Sequence, residues 1–143
     1  MMILAAVDDS NGMMFNKRRQ SQDKILREYI LTMARGKRLW MSDYTGKQFA
    51  AINQNINQAA IRIDNDFLDK AGPGEYCLIE NHHVSAYLDQ IERVILFKWN
   101  RAYPGDFFFD LDLSAPKWIL KESEDFPGFS HEKITKEVYV HES

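Results

Sequence analysis

An α/β fold with a mostly parallel sheet and antiparallel strands at one edge is the class this sequence predicts, and two observations carry the prediction. Apolar runs such as Met2–Val7 and Arg93–Trp99 alternate with segments of helical periodicity as far as Asp106. Beyond Asp106 the helical rhythm stops, and Trp118–Ser123 and Lys133–Val140 alternate apolar and polar residues with period two. Continuous apolar strands suit a sheet covered on both faces, whereas alternating ones suit an antiparallel pair with one face in water.

Each element can be justified in turn. Met2–Val7 reads as a doubly covered strand, and Asp8–Gln20 as a loop around Asn11-Gly12. Ser21 is placed to cap a helix over Gln22–Arg35, whose Ile25, Leu26, Tyr29, Ile30 and Met33 form one buried stripe. Gly36 suits the left-handed position that ends it. Lys37–Ser42 reads as a strand, Thr45 as the cap of a helix through Phe49 and Ile52, and Asn53–Gln58 as a polar connector. Ala60–Ile63 is a strand, Asp64–Ala71 a short helix stopped by Gly72-Pro73-Gly74, and Glu75–Ile79 a strand. His82–Leu88 reads as a helix and Arg93–Trp99 as a strong strand. The last two strands are joined by a loop containing Phe126-Pro127-Gly128.

A chain of 143 residues suffices for one domain, taken as residues 1–143, with a core that needs neither disulfide nor metal. Cys77 is the only cysteine, set in the apolar run Tyr76–Ile79 as a small hydrophobe. A net charge of −3 argues against a general nucleic-acid footprint. No run reaches the ~20 apolar residues that span a membrane. Met1–Val7 is too short for a signal peptide and leads into Asp8-Asp9, so a cytoplasmic location is expected.

The segment Arg93–Trp99, then Gly105-Asp106, Phe109 and Trp118, resembles the C-terminal region of the dihydrofolate reductase family. Ile3, Ala5, Ala6, Asn11 and Gly12 are similar to that family's first strand and substrate-covering loop, and the helix through Met33 and strand Leu39–Met41 follow in the same order. The resemblance implies a dihydrofolate reductase-like sheet with helices on both faces. It also implies a cleft lined by Asn11, Gly12, Phe15, Asp23, Ser42 and Thr45, with Ala6 against a pterin and Asp23 as the acid that assists its protonation.

Several residues depart from the family's pattern. Asp110 replaces a proline, Phe97 a threonine, and Phe15–Gln20 a Leu-Pro-Trp run. The cofactor-binding Gly-Arg-Thr becomes Ser42-Asp43-Tyr44-Thr45, and the glycine pair after Ile79 becomes Glu80-Asn81. Asp43 and Glu80 place carboxylates where NADPH phosphates would lie, against the preference of free amides for anions. The chain is also shorter than the usual single-domain reductase between Phe49 and Gly72.

The expectation is therefore a divergent family member, without NADPH-dependent reductase activity, that binds a small ligand or a protein. A minimal reductase of a pterin-like substrate with altered cofactor use is the enzymatic alternative. A third reading is RNA processing or binding through Lys17, Arg18 and Arg19, with Lys24 and Arg27 nearby. The chain is similar in appearance to short bacterial proteins labelled ribonuclease Z. It nevertheless has only four histidines and no HxHxDH cluster for a two-zinc centre. His82 and His83 with a carboxylate are the one conceivable metal site, and no metal is expected. Serine, histidine and acidic residues for a nucleophilic triad are present, but a G-x-S-x-G elbow is not. Tyr103, Phe107 and Phe108 are candidates for an exposed aromatic patch facing a protein partner.

Overall fold

The computed structural model describes residues 1–49 and 59–141, so the Asn53–Gln58 connector and the helix extension to Ile52 lie outside the described residues. The elements begin β1 (Met2–Val7), β2 (Gly12–Phe15), β3 (Arg18–Arg19), α1 (Lys24–Met33), β4 (Arg38–Met41), α2 (Asp43–Phe49) and β5 (Ala60–Ile63). They continue as α3 (Phe67–Lys70), β6 (Tyr76–Ile79), β7 (Arg93–Lys98), β8 (Phe107–Phe108), β9 (Trp118–Phe126) and β10 (Ile134–His141).

Seven strands form one sheet in the order β5-β4-β6-β1-β7-β10-β9. β1 lies in the middle, parallel to β6 with Ile3 opposite Cys77 and parallel to β7 with Ile3 opposite Val94. β10 pairs antiparallel with β7 and β9, which supplies the antiparallel edge. The central position explains the apolar run of β1, because both faces are covered. Ile3, Ala5 and Val7 enter a core with Phe67 and Leu68 of α3, while Leu4 enters a second core with Leu26, Ile30 and Leu31 of α1. β7 divides the same way, with Val94 and Leu96 in the first core and Ile95 and Phe97 in the second. Helices therefore cover both faces, and each fully buried aliphatic side chain contributes about 1.5–3 kcal/mol.

The structure moves several expected boundaries. The first loop contains β2 and β3, joined by Asn16 and Lys17 with φ of 55° and 63°, a pair of left-handed residues suited to a two-residue hairpin. With β8 they form a small second sheet. The segment read as helix His82–Leu88 is instead a 3-10 turn at Ser85–Gln90, fixed by Asp110, whose carboxylate accepts the Val84 and Ser85 backbone N–H groups at 2.8 and 3.1 Å. Phe126 belongs to β9 rather than to the following loop. The helix expected from Asp64 is only one turn, Phe67–Lys70. Gly36 does take the left-handed conformation after α1, with φ of 75°. No helix among the described residues is long and apolar enough to cross a membrane.

Candidate functional site

α1 begins where Asp23, in extended conformation, turns its carboxylate back onto the helix. Oδ1 accepts the backbone N–H groups of Ile25 at 2.9 Å, Leu26 at 3.2 Å and Phe129 at 3.0 Å. Oδ2 accepts the Ser130 N–H at 2.9 Å, the Ser130 hydroxyl at 3.2 Å and His131 Nδ1–H at 2.9 Å. The cap is thus Asp23, and Ser21, expected in that role, is freed for another. Burial alone raises the Asp23 pKa, but the donors from Phe129, His131, Ser130 and Leu26 outweigh it and hold the carboxyl well below the usual carboxylate range. The expected role of proton-delivering acid is thus set against a carboxylate whose oxygens are taken up as a cap and an anchor. A carboxylate engaged by six donors and held ionised has no proton to give at neutral pH.

The β9–β10 loop carries His131 to this point. Gly128 permits the approach, since a Cβ there would lie 2.7 Å from Asp23 Oδ2 and 2.9 Å from the His131 carbonyl oxygen. The imidazole is buried and stacks on Trp99 with ring centroids 4.3 Å apart. Because ionised Asp23 only accepts, Nδ1 carries a proton, and in the neutral tautomer of the ring Nε2 is the acceptor. Ser21 Oγ donates to Nε2 at 2.9 Å, and the Tyr103 hydroxyl lies 3.2 Å from the same nitrogen.

Ser21 and Asp23 stand at the rim of a cleft between α1, α2 and the carboxyl ends of β1 and β6, the end of a parallel sheet where ligand sites form. Its walls are Ala6, Leu26, Ile30, Phe49, Leu78 and Trp99, and its interior volume is about 40 Å³. Besides Asp23, the charged residues Arg19, Glu80 and Arg27 line it, in contrasting states. Glu80 accepts Arg19 Nε–H at 2.9 Å and Nη2–H at 3.2 Å, the Thr45 hydroxyl at 2.9 Å and Gln48 Nε2 at 3.1 Å. Arg27 has its Nε and Nη1 buried with no hydrogen-bond partner, and it makes no ion pair among the described residues.

The other residues expected to share the cleft disperse. Ala6 lines it. Asn11 is exposed, in a separate groove with Lys98 and Ser114. Gly12 donates its N–H to Asp8 Oδ1 at 2.7 Å, and Phe15 lies in a shallow surface groove with Arg18 and Pro104. Ser42 and Thr45 are buried. Ser42 Oγ accepts the Thr45 N–H at 3.3 Å, so Ser42 rather than Thr45 caps α2, and Thr45 reaches the cleft only through Glu80.

The expected basic loop is also divided. Lys17 and Arg18 are exposed, whereas Arg19 is committed to Glu80 and lies 4.4 Å over the Tyr44 ring. Asp43 opens α2, and its N–H donates to Asn65 Oδ1 at 2.9 Å. His82 hydrogen-bonds Asn81 while His83 stacks on Phe107, and no cluster of three metal-ligating side chains occurs among the described residues. Phe107 and Tyr103 are thus engaged internally, which leaves Phe108 as the exposed member of the expected aromatic patch.

Sequence reasoning missed the site roles of His131 and Trp99, gave Tyr103 to an exposed patch, and did not foresee the inward turn of Arg27. Their partners lie far away in sequence, His131 standing 108 positions after Asp23. The repeated small and polar residues at Gly128 and Ser130 were the only local trace.

Protein-family models and curated proteins give no match to this sequence. Among solved structures, the chain is similar to dihydrofolate reductase from Enterococcus faecalis complexed with NADP(H) and RAB-propyl, with a TM-score of 0.64 at 11% identity. The similarity covers 100% of this chain and 97% of that one. The chain therefore has the dihydrofolate reductase-like fold, as the arrangement from Arg93 to Trp118 implied.

Proposed function

We propose that this chain is a small-ligand binding domain that uses the cleft beside α1 to hold a small carboxylate or similar anion. The observation that carries this reading is Arg27, whose Nε and Nη1 are buried without partners at an apolar cleft. Buried guanidinium N–H donors without partners are costly, and an anion's oxygen satisfies them. The interior of about 40 Å³ has room for about three waters or a group of carboxylate size, and is too small for a bicyclic pterin. The ionised, saturated state of Asp23 also disfavours the reductase alternative, and Glu80 occupies the place of a pyrophosphate-binding glycine. The commitment of Arg19 to Glu80 disfavours the RNA reading.

The test is a thermal-shift titration with sodium propionate, sodium chloride at equal ionic strength, NADPH and methotrexate, using wild type and Arg27→Met. A ligand that binds only the native state raises its melting temperature with concentration. Propionate is expected to stabilise wild type beyond chloride and to leave Arg27→Met unmoved. Without ligand, Arg27→Met should be more stable than wild type by about 1–3 kcal/mol, because it removes unsatisfied buried donors. Stabilisation by NADPH or methotrexate in place of propionate restores the reductase reading, and no response to any of them sinks the cleft as a ligand site.

A further inference from the structure

Asp23, His131 and Ser21 form an unbroken hydrogen-bonded chain: Nδ1–H to Oδ2 at 2.9 Å, and Ser21 Oγ–H to Nε2 at 2.9 Å. The three come from the segment before α1 and from the β9–β10 loop, so local turn structure does not explain their meeting. The ring is fixed on both sides of the relay, by Asp23 at Nδ1 and by Trp99 against its face. Ser21 makes no cap to α1, because Asp23 fills that position, and the residue lines the cleft. A serine hydroxyl within hydrogen-bond reach of an imidazole nitrogen, the ring itself oriented by a carboxylate, is the geometry that activates oxygen nucleophiles.

We propose that Ser21 is an acyl-transfer nucleophile with His131 as its general base, acting on short-chain acyl esters whose acyl group enters the cleft. The proposal rests on the reading of this cleft as a ligand site and names its substrate class. Ser21 Oγ attacks the ester carbonyl carbon and forms the new C–O bond as its proton passes to His131 Nε2. The carbonyl oxygen becomes an oxyanion, for which the unclaimed Arg27 N–H groups are the available donors in the cleft. Collapse breaks the bond to the leaving alcohol oxygen, which takes the proton from Nε2. Water then attacks the acyl-serine, gives its proton to Nε2, and the proton returns to Ser21 Oγ as a short carboxylic acid departs. Its carboxylate form is the anion that Arg27 is placed to hold. The apolar walls and the volume of about 40 Å³ restrict the acyl group to acetyl or propionyl size.

The experiment is labelling with diisopropyl fluorophosphate, read by intact mass and peptide mapping, alongside hydrolysis of p-nitrophenyl acetate and p-nitrophenyl decanoate. Expected is one diisopropylphosphoryl group on Ser21, absent in Ser21→Ala and formed at least ~100-fold more slowly in His131→Gln. Acetate ester turnover should exceed decanoate turnover and fall in step with labelling, while Ser123→Ala, at an exposed serine of β9 outside the cleft, keeps both. Melting temperatures confirm that each variant is folded. The proposal is overturned by labelling at other residues only, by no labelling of folded wild type, or by Ser21→Ala turning over p-nitrophenyl acetate as fast as wild type. Propionate stabilisation without Ser21 labelling removes the nucleophile and leaves the ligand site. Ser21 labelling without propionate stabilisation removes the anion preference alone, since phosphorylation needs no anion at Arg27.

Discussion

Asp23 shows how much of this molecule one side chain organises. It caps α1, holds the Phe129–His131 segment and sets the tautomer of His131. Asp23→Ala leaves several buried donors unmet and should cost about 3 kcal/mol or more, measured by urea unfolding. The pH dependence follows from the direction of its shift. The folded carboxyl titrates well below the unfolded value of about 3.9, so its stabilisation is complete above about pH 4 and is lost as pH falls toward the folded value. Urea midpoints of wild type should therefore drop between about pH 4 and pH 2 more steeply than those of Asp23→Asn, and equal slopes would remove Asp23 as the cause. The start of α1 near Asp23 was legible from the apolar stripe, although the cap was expected at Ser21. The bond from Asp23 to His131 was not, because no local pattern encodes a contact across most of the chain.

At the scale of elements, long periodic segments were readable and short ones were not. α1 and β7 declare themselves through a helical stripe and a continuous apolar run, signals that accumulate over ten and six residues. β3 and β8 have two residues each and exist only because β2 lies between them. Phe97 of β7 belongs to the core beneath α1. It meets Tyr29 edge-on at 5.7 Å and Phe126 at 6.4 Å, while Tyr29 and Phe126 stack at 4.6 Å. Phe97→Ala opens a cavity among these rings and should cost about 3–5 kcal/mol in urea unfolding, and a loss below about 1 kcal/mol would show that the cluster adds little.

Across the whole molecule, the two cores flank a sheet whose centre is closed to solvent. Cys77 lies there opposite Ile3, and burial pushes its thiol up to about 12. It should resist a thiol-reactive dye such as DTNB in the native state and react fully in denaturant, and rapid modification of native protein would contradict the packing. The sequence by itself determined the strands of the parallel sheet, the antiparallel edge and the principal helix, because apolar periodicity is local and reports which faces are buried. The resemblance from Arg93 to Trp118 extended that reading to the fold. Only the tertiary structure decided which polar residues meet: it paired Arg19 with Glu80, left Arg27 Nε and Nη1 without a partner among the described residues and brought His131 between Asp23 and Ser21. The physical reason is that a buried polar group is satisfied by whichever partner the folded backbone carries within about 3 Å, and that partner has no fixed offset along the chain.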